Sequence, residues 1–318
     1  MLPMPDPQPA PAAPRAAGEP VLKARTFLAM GTVVSLTVAF PGSHRDDAMD
    51  RLDAASRVIE EDFEALEERF SLFRDDSEAS AVARGVLRLA HASPLLRAYY
   101  AEAVDWRRRT LGAFTAERPD GVLDLSGLVK GRAIAEAGCS LAALGLHHWC
   151  LNAGGDVLVS GTPTPGPAAS ASTDERGHRA TGGKAARPWL AGIVDPADRR
   201  TLLGAYPLGD APASVNPAAA SGSEERPTTS GARLALATSG SAERGDHIWA
   251  AGGTRPEFVQ VSVAAADIVT ADVLATAIVA GGREMLDHAT TQWDIDVLAV
   301  KRDGGLLATR GFRAPRAA

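Results

Sequence analysis

Apolar and polar residues alternate over residues 32–40, where TVVSLTVAF places Val34, Leu36, Val38 and Phe40 on one face. A period of two predicts a strand that is buried on one side. Shorter apolar runs bounded by glycine and polar residues predict further strands in HHWCLNAGGDVLVSG, PWLAGIVDP, TLLGAYPL, RLALATSG and EFVQVSVAA. The last run, DIDVLAVKRDGGLLATRGF, predicts a hairpin that turns at Asp303-Gly304.

Helical spacing of apolar residues predicts helices between these strands. One long amphipathic helix is expected over 46–70, and a second over about 93–111, beginning at the cap and proline pair Ser93-Pro94. VLDLSGLVKGRAIAEAGCSLAALGL predicts a short strand, a glycine-containing turn and a helix, whereas SLFRDDSEAS between the first two helices predicts a loop. TADVLATA opens one more helix. Strands dispersed among helices predict an α+β or mixed α/β fold.

Composition distinguishes one region that is expected to fold from segments that are expected to be disordered. Residues 1–22 form a Pro/Ala-rich tail without the apolar content to pack, and residues 23–314 are expected to form a single domain. Within that domain, 162–186 and 210–232 are rich in Pro, Ser, Gly, Ala and Thr and are expected to be disordered loops.

Charge and cysteine content exclude several classes of function. The chain has 318 residues and a formal net charge of -6, which argues against binding to nucleic acid or to an anionic membrane surface. The N-terminus lacks the pattern of a signal peptide, and no apolar run is long enough to span a bilayer, so we expect a cytoplasmic protein without a membrane anchor. Cys139 and Cys150 do not form a disulfide framework or a zinc site, and we expect both to be buried.

Asp272 and Thr276 place a carboxylate and a hydroxyl inside an otherwise apolar helix. Residues four apart share one face of a helix, so the two oxygens lie about one turn apart. Such a pair can ligate a hard cation such as Mg²⁺, which favours one or two carboxylates with neutral oxygens and substrate phosphates. The alternative is that Asp272 caps the helix and Thr276 bonds back to a carbonyl.

DLSGLVKGRA is a second candidate site. Gly127 and Gly131 free the backbone around Lys130, which places amides and one cation near a helix start, where an anion can bind. The alternative is a plain turn with a solvated lysine.

Two glycine-rich stretches complete the candidates. Gly154-Gly155 either lets a ligand approach the backbone or makes a bulge. Downstream, Thr238, Ser239 and His247 lie within ten residues of one another, although a lone histidine is often only a partly buried polar residue.

Taken together and in this order, these pieces resemble the ApbE family, the FAD:protein FMN transferases. The resemblance runs from about residue 25 to 312, and the combination is specific although no single piece is. The matching pieces are AMGTVVSLTV (29–38), RFSLFRDDSEAS (69–80), LGAF (111–114), LDLSGLVKGRAIAEA (123–137), LNAGGDVLVSG (151–161), LATSGSAERGDHI (236–248) and TADVLATAIVAGG (270–282).

The resemblance implies a reaction and a set of site residues. Members of the family bind FAD and Mg²⁺, cleave the pyrophosphate, and attach FMN to a threonine or serine of a target flavoprotein with release of AMP. It implies that Asp272, Thr276 and a carbonyl of the SGLVKG turn, assigned to Gly127, bind the metal, and that His247 performs acid–base chemistry. The candidate flavin-binding positions are Met30, Ala113, Phe114, Thr115, Asp124, Lys130, Gly154, Gly155, Thr238 and Ser239.

The sequence also departs from the family pattern. Thr115 follows LGAF where the family usually has aspartate, and HIWAAGGTRP replaces the usual segment after the histidine. Three functions therefore stay open: an FMN transferase that modifies a partner flavoprotein, an FAD pyrophosphatase that yields FMN and AMP, and a non-catalytic flavin-binding protein.

Overall fold

The computed structural model describes residues 20–164, 187–209, 231–240 and 256–313. The strands are β1 (Val21–Ala29), β2 (Thr32–Phe40), β3 (Trp149–Ala153), β4 (Asp156–Ser160), β5 (Trp189–Val194), β6 (Leu202–Leu208), β7 (Ala235–Gly240), β8 (Phe258–Ala265), β9 (Asp296–Lys301) and β10 (Leu306–Ala308). The helices are α1 (Ala48–Phe70), α2 (Glu78–Ala83), α3 (Pro94–Arg109), α4 (Ser126–Ala143), α5 (Ile268–Gln292) and α6 (Arg310–Arg313).

Eight of the described strands form one sheet in the order β1-β2-β3-β4-β7-β8-β9-β10, and β5 pairs with β6 in a separate hairpin. All pairings among the described strands are antiparallel. The predicted α+β fold is therefore confirmed, with helices packed against an antiparallel sheet. The predicted hairpin at Asp303-Gly304 is also confirmed, and the predicted strands PWLAGIVDP and TLLGAYPL correspond to β5 and β6, which pair with each other.

The sheet is covered on both faces. Helices α1, α4 and α5 pack on one face around a large core that includes Leu36, Ile59, Ile134 and Ile278. The β5–β6 hairpin covers part of the other face through a smaller core of buried residues: Ala39, Val157, Val159, Trp189, Ala191, Ile193, Tyr206, Leu208, Leu236, Ala264 and Leu298. None of the described helices has both the length and the apolarity needed to cross a bilayer.

Local sequence signals explain where two of the helices begin and where one of them bends. Ser93 caps α3 by accepting a hydrogen bond from the Leu96 amide, and Asp267 caps α5 in the same way through the Thr270 amide. Gly282 interrupts α5 with a φ of 61°, a conformation that favours glycine, so the helix bends there.

A buried polar cluster ties the hairpin to the sheet. The Asp296 carboxylate accepts hydrogen bonds from the Tyr206 hydroxyl (2.7 Å) and from Arg233 Nε (3.3 Å), and Arg233 also donates to Asp294. The other Asp296 oxygen accepts from the Thr309 hydroxyl at 2.9 Å. One side chain thus joins β6, the start of β7 and the C-terminal segment.

Five expectations from the sequence differ from the structure. Strand β1 has no equivalent among the predicted strands, and α2 begins inside the segment predicted to be a loop. The predicted strand before Ser126 is only a bridge between Glu117 and Leu123, and the glycine-containing turn is the first part of α4. Cys139 is exposed and Cys150 is only partly buried, whereas the sequence predicts that both are buried.

The same comparison cannot be made for the first nineteen residues, for the last five, or for most of the two segments predicted to be disordered. Residues 1–19, 165–186, 210–230 and 314–318 lie outside the described residues. Strand β1 begins at Val21, within the last two residues of the segment 1–22.

Candidate functional site

One end of the sheet brings together turns that are far apart in sequence. Met30-Gly31 connects β1 to β2 with φ values of 50° and 70°, and Gly154-Gly155 connects β3 to β4 with φ values of 61° and 98°. Two consecutive positive φ values make each a two-residue hairpin turn, so the glycine pair does not form a bulge. A Cβ at Gly154 would overlap the Thr32 hydroxyl, so the two turns abut.

Asp272 lies in the second turn of α5, with only 6% of its surface exposed. Because Asp267 caps this helix, the alternative in which Asp272 is the cap is wrong. Thr276, one turn later, has its Oγ1 2.9 Å from the Ser239 Oγ at the end of β7. Asp272 and Thr276 therefore face this end of the sheet, where the Ser239 hydroxyl adds a third oxygen.

Helix α4 approaches α5 closely at this point. A Cβ on Gly131 would lie 3.3 Å from Asp272 Oδ2 and 3.4 Å from the Val269 Cα, which is tighter than most side-chain contacts. The absent side chain lets the start of α4 lie directly beside the Asp272 carboxylate. Gly127 lies one turn earlier on α4, so its carbonyl belongs to the first turn of the helix.

The donors fit a hard divalent cation. A carboxylate and two hydroxyls supply only oxygen, and Mg²⁺ binds few protein ligands because it keeps waters and substrate phosphates. Within the described ranges, no group of three or more His, Cys, Asp or Glu side chains could hold a metal. An all-oxygen donor set of this kind suits a hard cation such as Mg²⁺ better than a soft metal.

Lys130 is not a solvated lysine. Its ammonium forms an ion pair with the Asp156 carboxylate, and the two side chains are 16% and 1% exposed. The second Asp156 oxygen accepts a hydrogen bond from the Thr238 amide at 3.0 Å. The Thr238 hydroxyl lies 2.8 Å from the hydroxyl of buried Ser262. A chain of polar contacts thus runs from α4 through β4 to β7 and β8.

The segment after α3 packs against both α4 and α5. Phe114 is buried, and a Cβ on Gly127 would touch its ring at 3.4 Å, while a Cβ on Gly281 would lie 3.1 Å from that of Ala113. Thr115 is half-buried, and its hydroxyl accepts a hydrogen bond from the Glu117 amide at 3.1 Å. This segment therefore borders the start of α4, next to the oxygen donors.

Two further predicted residues have local roles that the sequence does not reveal. The Met30 amide donates to Glu67 Oε2 at 2.8 Å, which joins the first hairpin turn to the end of α1. Asp124 Oδ1 accepts from the Ser126 amide at 2.9 Å and so satisfies a donor at the start of α4.

The structure thus brings Asp272, Thr276, Ser239, Lys130 and Thr238 to one sheet end. Phe114 lies beside Gly127 in the first turn of α4, and Ala113 lies beside Gly281 of α5. His247 lies outside the described residues.

Asp156 joins this group although the sequence does not single it out. Its only sequence signal is its place directly after the Gly-Gly turn.

Comparison with known proteins identifies relatives of this arrangement. The model of the ApbE family matches residues 114–299. The flavin transferase ApbE from Vibrio cholerae superposes with a TM-score of 0.63 at 18% identity, covering 92% of this chain and 99% of that one. The Pseudomonas stutzeri flavinyl transferase ApbE, in its apo form, has a TM-score of 0.64 at 17% identity and covers 93% and 96%.

A third structure, the ApbE protein from Thermotoga maritima, has a TM-score of 0.61 at 17% identity and covers 92% of this chain and 98% of that one. Among curated proteins, no sequence matches significantly. At these identities the structures establish a shared fold over nearly the whole chain.

Proposed function

The chain belongs to the ApbE family, and from this membership we propose that it is a flavin transferase. Its reaction moves FMN from FAD to a threonine or serine of a target flavoprotein and releases AMP. The observation that carries the proposal is the convergence of Asp272, Thr276 and Ser239 with the Lys130–Asp156 pair at one end of the sheet. Hard oxygen donors beside a lysine suit a pyrophosphate substrate.

The proposed metal ligands are Asp272, Thr276 and the carbonyl of Gly127, with Ser239 orienting the Thr276 hydroxyl. Bound Mg²⁺ would neutralise the pyrophosphate and withdraw charge from the scissile phosphorus. The remaining protein groups position FAD: Phe114 borders the start of α4, Ala113 borders α5, and Lys130 supplies a cation held by Asp156.

In the proposed reaction, the acceptor hydroxyl oxygen forms a bond to the phosphorus of the FMN half. The bond between that phosphorus and the bridging oxygen breaks, and AMP leaves with the oxygen. His247 accepts the proton of the attacking hydroxyl, a role that rests on the family resemblance. General bases contribute about 10²–10⁴-fold, so His247→Ala is expected to lower the rate by that order and to leave FAD affinity unchanged. Equal AMP release by wild type and variant would remove His247 from the mechanism.

The test of the function is incubation with FAD, Mg²⁺ and a fragment of a candidate flavoprotein, followed by intact mass and AMP measurement. We expect the fragment to gain one FMN less one water, with one AMP released for each. A fragment with its acceptor threonine changed to alanine is the control. AMP release without a mass gain would indicate an FAD pyrophosphatase instead, and FAD binding without AMP release would indicate a non-catalytic binder.

A further inference from the structure

Asp156 is the most deeply buried carboxylate of the site, and each of its oxygens has a different partner. Oδ2 pairs with the Lys130 ammonium of α4, and Oδ1 accepts from the Thr238 amide of β7 at 3.0 Å. The side chain is 1% exposed, so water does not compete for either contact. A buried charge is retained only where it is paired and hydrogen-bonded.

Its two partners lead directly to the oxygen donors of the site. Lys130 immediately precedes Gly131, whose α-carbon lies beside the Asp272 carboxylate. Thr238 immediately precedes Ser239, whose hydroxyl lies 2.9 Å from that of Thr276. A shift of Asp156 would therefore move both helix α4 and the end of β7 relative to Asp272 and Thr276.

We propose that Asp156 is a positioning residue of the transferase, which orients the Lys130 ammonium toward the FAD pyrophosphate and fixes the end of β7. This inference rests on the proposed function and adds a residue to it. The lysine has three N–H donors, and a carboxylate that accepts one of them sets the direction of the others. Because the pair carries no net charge, its contribution to FAD binding comes from orientation rather than from added positive potential.

The first variant is Asp156→Asn, which keeps an oxygen for the Thr238 amide and replaces the charged oxygen that accepts from Lys130 with an NH2 group, which can only donate. We expect FAD affinity, measured through flavin fluorescence, and the rate of AMP release both to fall by about tenfold or more, as for a charge-assisted hydrogen bond. Tighter FAD binding at an unchanged rate would overturn the proposal, because it would mean that Asp156 only neutralises Lys130.

A double-mutant cycle separates positioning from a general loss of structure. Lys130→Met and Asp156→Asn together remove both charges, and the double variant should bind FAD as weakly as Lys130→Met alone. Additive losses in FAD affinity would show that Asp156 does not act through Lys130 and would contradict the proposal.

The matched control is Asp296→Asn, which changes a second largely buried carboxylate that pairs with Arg233 in the polar cluster between the β5–β6 hairpin and the sheet. It should lower the unfolding temperature without changing FAD affinity. If it weakens FAD binding as much as Asp156→Asn does, the effect is structural and the proposal fails. If the wild type neither binds FAD nor releases AMP, the proposed function itself fails. If the wild type is active and Asp156→Asn behaves as wild type, only the role of Asp156 fails.

Discussion

Asp272 lies five residues past the cap of its helix, and that distance decides which role its carboxylate can have. A capping aspartate accepts from backbone amides of the first turn, as Asp267 does here with Thr270. In the second turn those amides are already bonded within the helix, so the carboxylate is available to groups outside the helix backbone. Its neighbours there are the α-carbon of Gly131 and, one turn on, the Thr276–Ser239 hydroxyl pair.

Replacement of Asp272 tests the metal site. Asp272→Ala should keep the fold and lower Mg²⁺ affinity. Loss of a group that only orients a metal ligand costs about 10–100-fold in metal affinity, and loss of the ligand itself should cost more. The measurement is the Mg²⁺ dependence of AMP release, together with the rise in unfolding temperature that Mg²⁺ produces. Asp267→Ala is the control on the same helix: it should cost about 1 kcal/mol of stability through the lost cap and leave the Mg²⁺ response unchanged. A wild-type rate for Asp272→Ala at limiting Mg²⁺ would contradict the assignment.

At the scale of the element, two glycines determine how closely helix α4 packs against its neighbours. Gly131 lets it approach α5 at Asp272, and Gly138 lets it approach the sheet, where a Cβ would lie 3.1 Å from Leu158 and 3.2 Å from Trp149. Glycine in a helix interior costs about 1 kcal/mol relative to alanine. The two glycines therefore set helix spacing at the expense of intrinsic helix stability.

We expect alanine to affect the rate of AMP release differently at these two glycine positions. Gly131→Ala should gain about 1 kcal/mol of helix propensity and lose about 1–3 kcal/mol to crowding against the Asp272 carboxylate, leaving stability within about 2 kcal/mol of wild type. Its rate of AMP release should nevertheless fall, because α4 moves away from Asp272. Gly138→Ala has similar opposing effects on stability but lies away from Asp272, so its rate should match wild type. Unfolding temperature and rate are measured for both, and a wild-type rate in Gly131→Ala would contradict this account.

At the scale of the whole molecule, the site lies at one end of the large sheet. Contacts elsewhere on this sheet hold the helices on one face and the β5–β6 hairpin on the other. The β5–β6 hairpin is attached through the smaller apolar core and through Tyr206, Arg233 and Asp296. Arg233 also bonds to Asp294 at 2.6 Å, just before β9 begins. The stability of the hairpin attachment therefore includes an ion pair that depends on pH.

Acid should weaken this attachment. The hydrogen bond from Arg233 lowers the pKa of the Asp294 carboxyl below its ordinary value of 3.8, against partial burial, which raises it. A lowered folded-state pKa contributes stability that is present above about pH 3.8 and is lost as the pH falls through the folded value.

Asp294→Asn should therefore lose less stability than wild type between pH 7 and pH 3. Urea unfolding at the two pH values measures the difference. Asp75→Asn, which changes a fully exposed carboxylate in the loop after α1, is the control and should behave as wild type. An equal loss in wild type and Asp294→Asn would show that the ion pair does not contribute.

The sequence by itself determined most of the elements and the family. Strict alternation at 32–40 and the Asp303-Gly304 turn predict strands and a hairpin because side-chain period and turn conformation are local properties. The Ser93 cap and the spacing of Asp272 from Thr276 are local for the same reason. The ordered set of motifs also sufficed for the family, because each motif keeps its place along the chain.

Only the tertiary structure decided which of these residues meet. Asp156 reaches Lys130 on another helix and Thr238 on another strand, and the Thr276 hydroxyl meets Ser239 across 37 positions. No local pattern encodes such contacts, because they follow from strand order and from helix spacing set by Gly131. Strand β1 also depends on tertiary structure. Its exposed side chains show no clear alternation that would predict a strand, and it is a strand because it pairs with β2. Packing against distant elements, rather than residue type, gives these positions their roles.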